Sequence, residues 1–68
     1  MKYLEKDELV DGDIYLVGTY EGHFAICHFI EEFEDRPFEL EVNRNISFDW
    51  GQIRYVFDTK TNIRKIYK

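Results

Sequence analysis

The sequence predicts an all-β domain, a small antiparallel β-barrel or strongly curved sheet of five to six strands. Three observations carry that expectation. Residues 11–33 (DGDIYLVGTYEGHFAICHFIEEF) hold two apolar stretches rich in β-branched and aromatic residues, separated by Glu21-Gly22, which is the pattern of a β-hairpin. Shorter alternating segments then follow at close spacing between turn residues, as in small all-β folds. Aromatic residues make up 18% of the chain, and rings that each bury about 150–250 Å² can fill a small core. With 68 residues there is room for one domain, 1–68. A chain of that size buries only about 60% of its unfolded surface, so its stability is thin. The lone Cys27 rules out an internal disulfide.

Residues 1–4 read as a short edge strand and residues 5–10 as a loop or a single helical turn. The run Glu5-Lys6-Asp7-Glu8 suits a helix N-terminus, where the dipole favours carboxylates, but Gly12 arrives too soon for a stable helix. Leu9-Val10-Asp11-Gly12 is then a turn into the first long strand, residues 14–20. On that strand Ile14, Leu16, Gly18 and Tyr20 share one face, and Tyr15, Val17 and Thr19 the other. Both faces are largely apolar, so the strand is expected to be central and covered on both sides. Gly18 predicts a bulge or sharp bend.

The returning strand, residues 23–33, sets Phe24, Ile26, His28 and Ile30 against Ala25, Cys27, Phe29 and Phe33, and it runs into solvent at Glu31-Glu32. Pro37, which cannot donate to a ladder, closes the following loop. Residues 38–42 alternate, with Phe38, Leu40 and Val42 inward and Glu39 and Glu41 outward, as in a half-buried antiparallel strand. Asn43-Arg44-Asn45 reads as a turn. Residues 46–50 form a short strand or irregular segment. Residues 53–57 form another strand, with Ile53, Tyr55 and Phe57 on one side. Residues 58–62 make a hairpin turn, and residues 63–67 pair back. The opening Leu9-x-x-Gly12-Asp13-Ile14-Tyr15 is similar to the start of many SH3-like barrels. This is a fold-level analogy over about a tenth of the chain, and fold does not fix function.

Residues 1–10 are charged and lack the apolar segment of a secretory signal, and no apolar run approaches the roughly 20 residues of a membrane helix. Together with the lone cysteine, this leads to the expectation of a cytoplasmic protein with no membrane partner. The net charge of −5 is unevenly spread: residues 1–41 carry three basic side chains against twelve acids (−9), and residues 42–68 carry six against two (+4). Such asymmetry predicts either solvated strand faces or an acidic surface meeting a basic partner.

Catalytic and metal chemistry find little footing. His23 and Cys27 would lie about 13 Å apart along a strand at roughly 3.3 Å per residue, with His28 on the opposite face, so the three cannot converge on one metal. The same alternation keeps Cys27 and His28 from acting as nucleophile and base, and Cys27 reads as a core filler. The carboxylates gather at a loop and on an alternating exposed face rather than in an apolar cleft that would raise one pKa. No phosphate loop, nucleophile elbow or dinucleotide fingerprint is present. No cofactor and no enzymatic activity are expected.

Protein recognition is the leading expectation. Glu31, Glu32, Phe33, Glu34, Asp35, Phe38, Glu39 and Glu41 place aromatic anchors among charged residues, as interfaces prefer. A tiny acidic domain of this kind suits an inhibitor or adaptor, including a nucleic-acid mimic carried by a mobile element, and its partner would be basic or nucleic-acid-binding. The alternative is a single-strand nucleic-acid binder using Trp50, Arg54, Lys60, Arg64 and Lys65, with stacking rings beside basic side chains. The −9 of residues 1–41 weighs against it. Glu39 and Glu41 also suit the blunting of an exposed strand edge. Pairing through residues 38–42 or 63–67 would give a homodimer.

Overall fold

A computed structural model describes residues 4–58. Five antiparallel strands form one sheet: β1 (Ile14–Thr19), β2 (Phe24–Phe29), β3 (Phe38–Leu40), β4 (Ser47–Phe48) and β5 (Ile53–Asp58). Their order across the sheet is β4-β3-β2-β1-β5. Within the described residues β4 and β5 are the two edges, so the sheet is open and the expected barrel closure is not found. The pairing of residues 63–67 with the hairpin turn before them, and most of the 1–4 strand, fall outside the described residues.

The β1–β2 hairpin forms where the sequence places it. Leu16 faces Ile26 and Gly18 faces Phe24 across the ladder. The backbone N–H of Thr19 donates to His23 O at 2.8 Å. Gly22 turns the corner at φ 92°, a left-handed geometry that a side chain would strain. The strand ends are tighter than expected, because β2 stops at Phe29 rather than running to Phe33. Ile30 N–H donates to Pro37 O (2.7 Å), and successive turns close from Phe33 to Ile30 and from Arg36 to Phe33. Glu31 N–H donates to Asp11 Oδ1 (2.9 Å), which pulls the chain away from the ladder.

β1 is internal, as expected, but it is not covered on both sides: Phe24 and Ile26, which face Gly18 and Leu16, are 63% and 42% exposed. Tyr15, Val17, Cys27, Phe29, Phe38, Ile53 and Val56 form the buried core on one side, with Leu4, Leu9 and Trp50 packed against it. The expected disturbance at Gly18 is present as a register shift: Gly18 faces Tyr55, but Thr19 faces Ile53, so Arg54 is the extra, unpaired residue. The bulge corrects the expected facing of β5. Ile53 joins the core with Val56, whereas Tyr55 and Phe57 lie on the opposite side, where their rings sit 5.9 Å apart. An unbroken period of two cannot express that change.

Residues 38–42 do not form one long strand. β3 ends at Leu40 because Asn43 N–H turns back to Leu40 O (3.3 Å), and Val42 is 86% exposed rather than inward. The Asn43 side chain accepts from Asn45 N–H at 3.1 Å, the local hydrogen bond that asparagine brings to turns. β3 lies between β2 and β4, so the expected homodimer contact through residues 38–42 has no free edge to use. Glu39 and Glu41 therefore do not guard a sheet edge; Glu39, in β3, pairs with Arg44, and Glu41, just past its end, with His28.

Residues 5–10 take the single-turn alternative, a 3-10 turn at Lys6–Glu8. Two bonds tie residues 4–10 to the sheet. Leu4 N–H donates to Val56 O at 2.8 Å, and Val10 N–H donates to the hydroxyl of buried Tyr15 at 2.9 Å.

Candidate functional site

The N-terminal 3-10 turn and the loop 30–37 flank an open groove of about 710 Å³ over one end of the core. Its floor is Leu9, Phe29, Pro37 and Trp50; one wall carries Glu5, Lys6 and Asp7, and the other Glu31 and Glu34. Four carboxylates against one ammonium give the lining a formal charge of −3.

Each part is held by bonds that the local sequence dictates. Trp50 opens a second 3-10 turn, Trp50–Gln52, where Asp49 Oδ1 accepts from Gln52 N–H and Gln52 Oε1 accepts from Asp49 N–H, both at 3.0 Å. The indole meets Phe38 edge-on at 5.0 Å and Phe29 at 6.0 Å. Such tilted pairs add about 0.5–1.5 kcal/mol each beyond the area they bury. The acidic loop is fastened to the tryptophan's neighbours by Arg36, whose Nε donates to Ser47 Oγ (3.1 Å) and whose Nη1 lies 3.5 Å from Asp49 Oδ2. Lys6 Nζ stands 4.7 Å from the Trp50 ring centroid, within cation–π range.

The structure divides the acidic residues singled out in the sequence. Glu31 and Glu34 line the groove, while Glu32, Phe33 and Asp35 stand exposed on the same loop outside it. Phe38 is fully buried and supports the site from beneath the indole. Glu39 and Glu41 lie on the other side of the sheet, where Glu39 accepts from Arg44 Nε at 2.8 Å and Glu41 meets His28. Of the alternative set, Trp50 belongs to the acidic groove. Arg54 lies elsewhere, with its guanidinium 5.0 Å from the Tyr55 ring and 6.0 Å from Tyr20. Lys60, Arg64 and Lys65 lie outside the described residues.

Sequence reading missed the N-terminal wall. In the sequence Glu5 and Asp7 read only as acids of a loop or a single helical turn. Only the fold of residues 4–10 across the core brings them opposite Glu31 and Glu34.

His23, Cys27 and His28 occupy three different surroundings. His23 is exposed beside Glu21, Cys27 is wholly buried, and His28 sits on the opposite side of the sheet. Burial pushes the Cys27 thiol from 9.0 up to about 11, which leaves little thiolate for nucleophilic work at neutral pH. Among the described residues, no three His, Cys, Asp or Glu side chains gather as a metal site, and no helix is long and apolar enough to cross a membrane.

Comparison with protein-family models, curated proteins and solved structures gave no match for this chain.

Proposed function

We propose that this domain is a non-enzymatic binding module that recognises a basic segment of a protein partner, acting as a small inhibitor or adaptor in the cytoplasm. The observation that carries the reading is the convergence of Glu5, Asp7, Glu31 and Glu34 on a floor that includes Trp50. Carboxylates steer and select a basic partner, while a supported aromatic ring gives the buried contact on which affinity rests. The acids surround a concavity rather than lining a ridge. That arrangement favours the capture of side chains over imitation of a phosphate backbone.

Affinity capture with nuclease present tests the reading. Glu31→Lys with Glu34→Lys abolishes capture of the partner, whereas Glu39→Lys with Glu41→Lys, on the other side of the sheet, leaves it intact. Capture that survives reversal at Glu31 and Glu34 overturns the groove.

A second reading, single-stranded nucleic-acid binding, draws support from Arg54 beside Tyr55 and Tyr20. Under it, Arg54→Ala lowers oligonucleotide affinity and flattens its salt dependence.

A further inference from the structure

The groove holds a cation of its own. Lys6 Nζ is 4.7 Å from the Trp50 centroid, and among the described residues it has no ion-pair partner within 4.0 Å, although four carboxylates line the same groove. Glu5, Asp7, Glu31 and Glu34 likewise have no cationic partner among the described residues. The indole face is thus covered by an exposed ammonium; of the acids around it Glu5 caps the 3-10 turn, and among the described residues Asp7, Glu31 and Glu34 carry no ion pair.

We propose that Lys6 is an internal placeholder for an arginine of the partner, which displaces it from Trp50 on binding; this rests on the groove reading above. The chemistry favours the exchange. An ammonium is a compact, strongly hydrated charge on a four-carbon stem, and at an exposed ring it gains little. A guanidinium is planar, stacks on an indole and is less hydrated, and its fork of N–H donors matches a carboxylate with two parallel bonds. Glu31 and Glu34, which line the same groove as Lys6 and Trp50, supply such carboxylates. Lys6 stands on a 3-10 turn of three residues, so its side chain can swing out without moving a strand. While the groove is empty, the same lysine lowers its charge from −4 to −3 and shields the indole from casual apolar contacts.

Trp50 is the only tryptophan, so its emission reports this site alone. The test titrates wild type, Lys6→Gln and Arg44→Gln with a short peptide bearing one arginine, and with the same peptide bearing uncharged citrulline. Removal of an exposed cation–π competitor is expected to tighten arginine-peptide binding by about two- to five-fold in Lys6→Gln. Arg44→Gln makes the same charge change on the far side of the sheet and should leave affinity within a factor of about two, because salt screens charges beyond roughly 8–10 Å. The free Lys6→Gln protein differs from wild type in emission, and saturation brings the two to a common value. Equal affinity in wild type and Lys6→Gln, with Glu31→Gln still weakening binding, overturns the placeholder and leaves the groove standing. An arginine peptide that moves Trp50 emission in neither protein, or a citrulline peptide that binds equally well, overturns the groove and the placeholder with it.

Discussion

Replacing Phe38 with alanine removes a ring that no solvent touches from beneath the candidate site. Its exposure is 0%, and it meets Trp50 at 5.0 Å and Phe29 at 5.5 Å. Deleting a buried phenylalanine costs about 3–5 kcal/mol, part as lost transfer energy and part as the cavity left behind. A chain of 68 residues at roughly 0.05–0.15 kcal/mol per residue has only about 3–10 kcal/mol to lose. Phe38→Ala is therefore expected to remove most of the stability, whereas Phe38→Leu, which keeps most of the buried volume, should cost about 1–2 kcal/mol. Urea unfolding followed by both Trp50 emission and far-ultraviolet circular dichroism measures the two losses. A loss below about 1.5 kcal/mol for the alanine variant would refute the packing argument, because a ring that holds both Phe29 and the indole cannot be removed so cheaply. Coincident transitions by the two probes are also expected, since Trp50 and the sheet share one core.

Two further outcomes follow from single contacts. Tyr15→Phe deletes the acceptor for Val10 N–H (2.9 Å) and should cost about 0.5–1.5 kcal/mol of stability. It should also weaken partner binding beyond any loss of folded protein, because that bond helps hold the segment bearing Glu5 and Asp7; unchanged affinity in a fully folded variant would dissociate the segment from the groove. For Cys27, burial raises the thiol's pKa in the fold from 9.0 to about 11, so the folded state keeps the proton longer than the unfolded chain. That contribution is complete below about pH 9 and is lost as pH rises towards 11, with a total of roughly 2–3 kcal/mol. Unfolding measured across this range should fall less steeply for Cys27→Ala than for wild type, and equal slopes would contradict the burial argument.

How much of this was legible in the sequence depended on whether the signal was local. The β1–β2 hairpin was, because alternation, Gly22 and the flanking turn residues all act within 20 residues. The position of the bulge at Gly18 was legible too, but its effect on β5 was not. An extra residue at Arg54 changes which side chains share a face, and only pairing with β1 shows where the count slips. The short β3 was hidden for a related reason. The sequence keeps alternating through Val42, while the Leu40–Asn43 turn ends the ladder after three residues. The acidic loop was visible as a cluster of like charges. The gathering of Glu31 and Glu34 with Glu5 and Asp7 around one groove was not, because it depends on contacts between segments more than 20 residues apart. Trp50 was drawn towards the basic residues that follow it in sequence, yet the Asp49–Gln52 cap and the Phe29–Phe38 pair seat it among the acids.

The most direct test of the groove is a backbone and indole amide map of the nitrogen-15-labelled protein during titration with the captured partner. The account predicts that the Trp50 indole, Leu9, Glu31 and Glu34 shift together and saturate at one stoichiometry, with Arg44 and Val42 unmoved. Shifts confined to Tyr20, Arg54 and Tyr55, or to the Glu39–Arg44 side of the sheet, would place the interface elsewhere and contradict it.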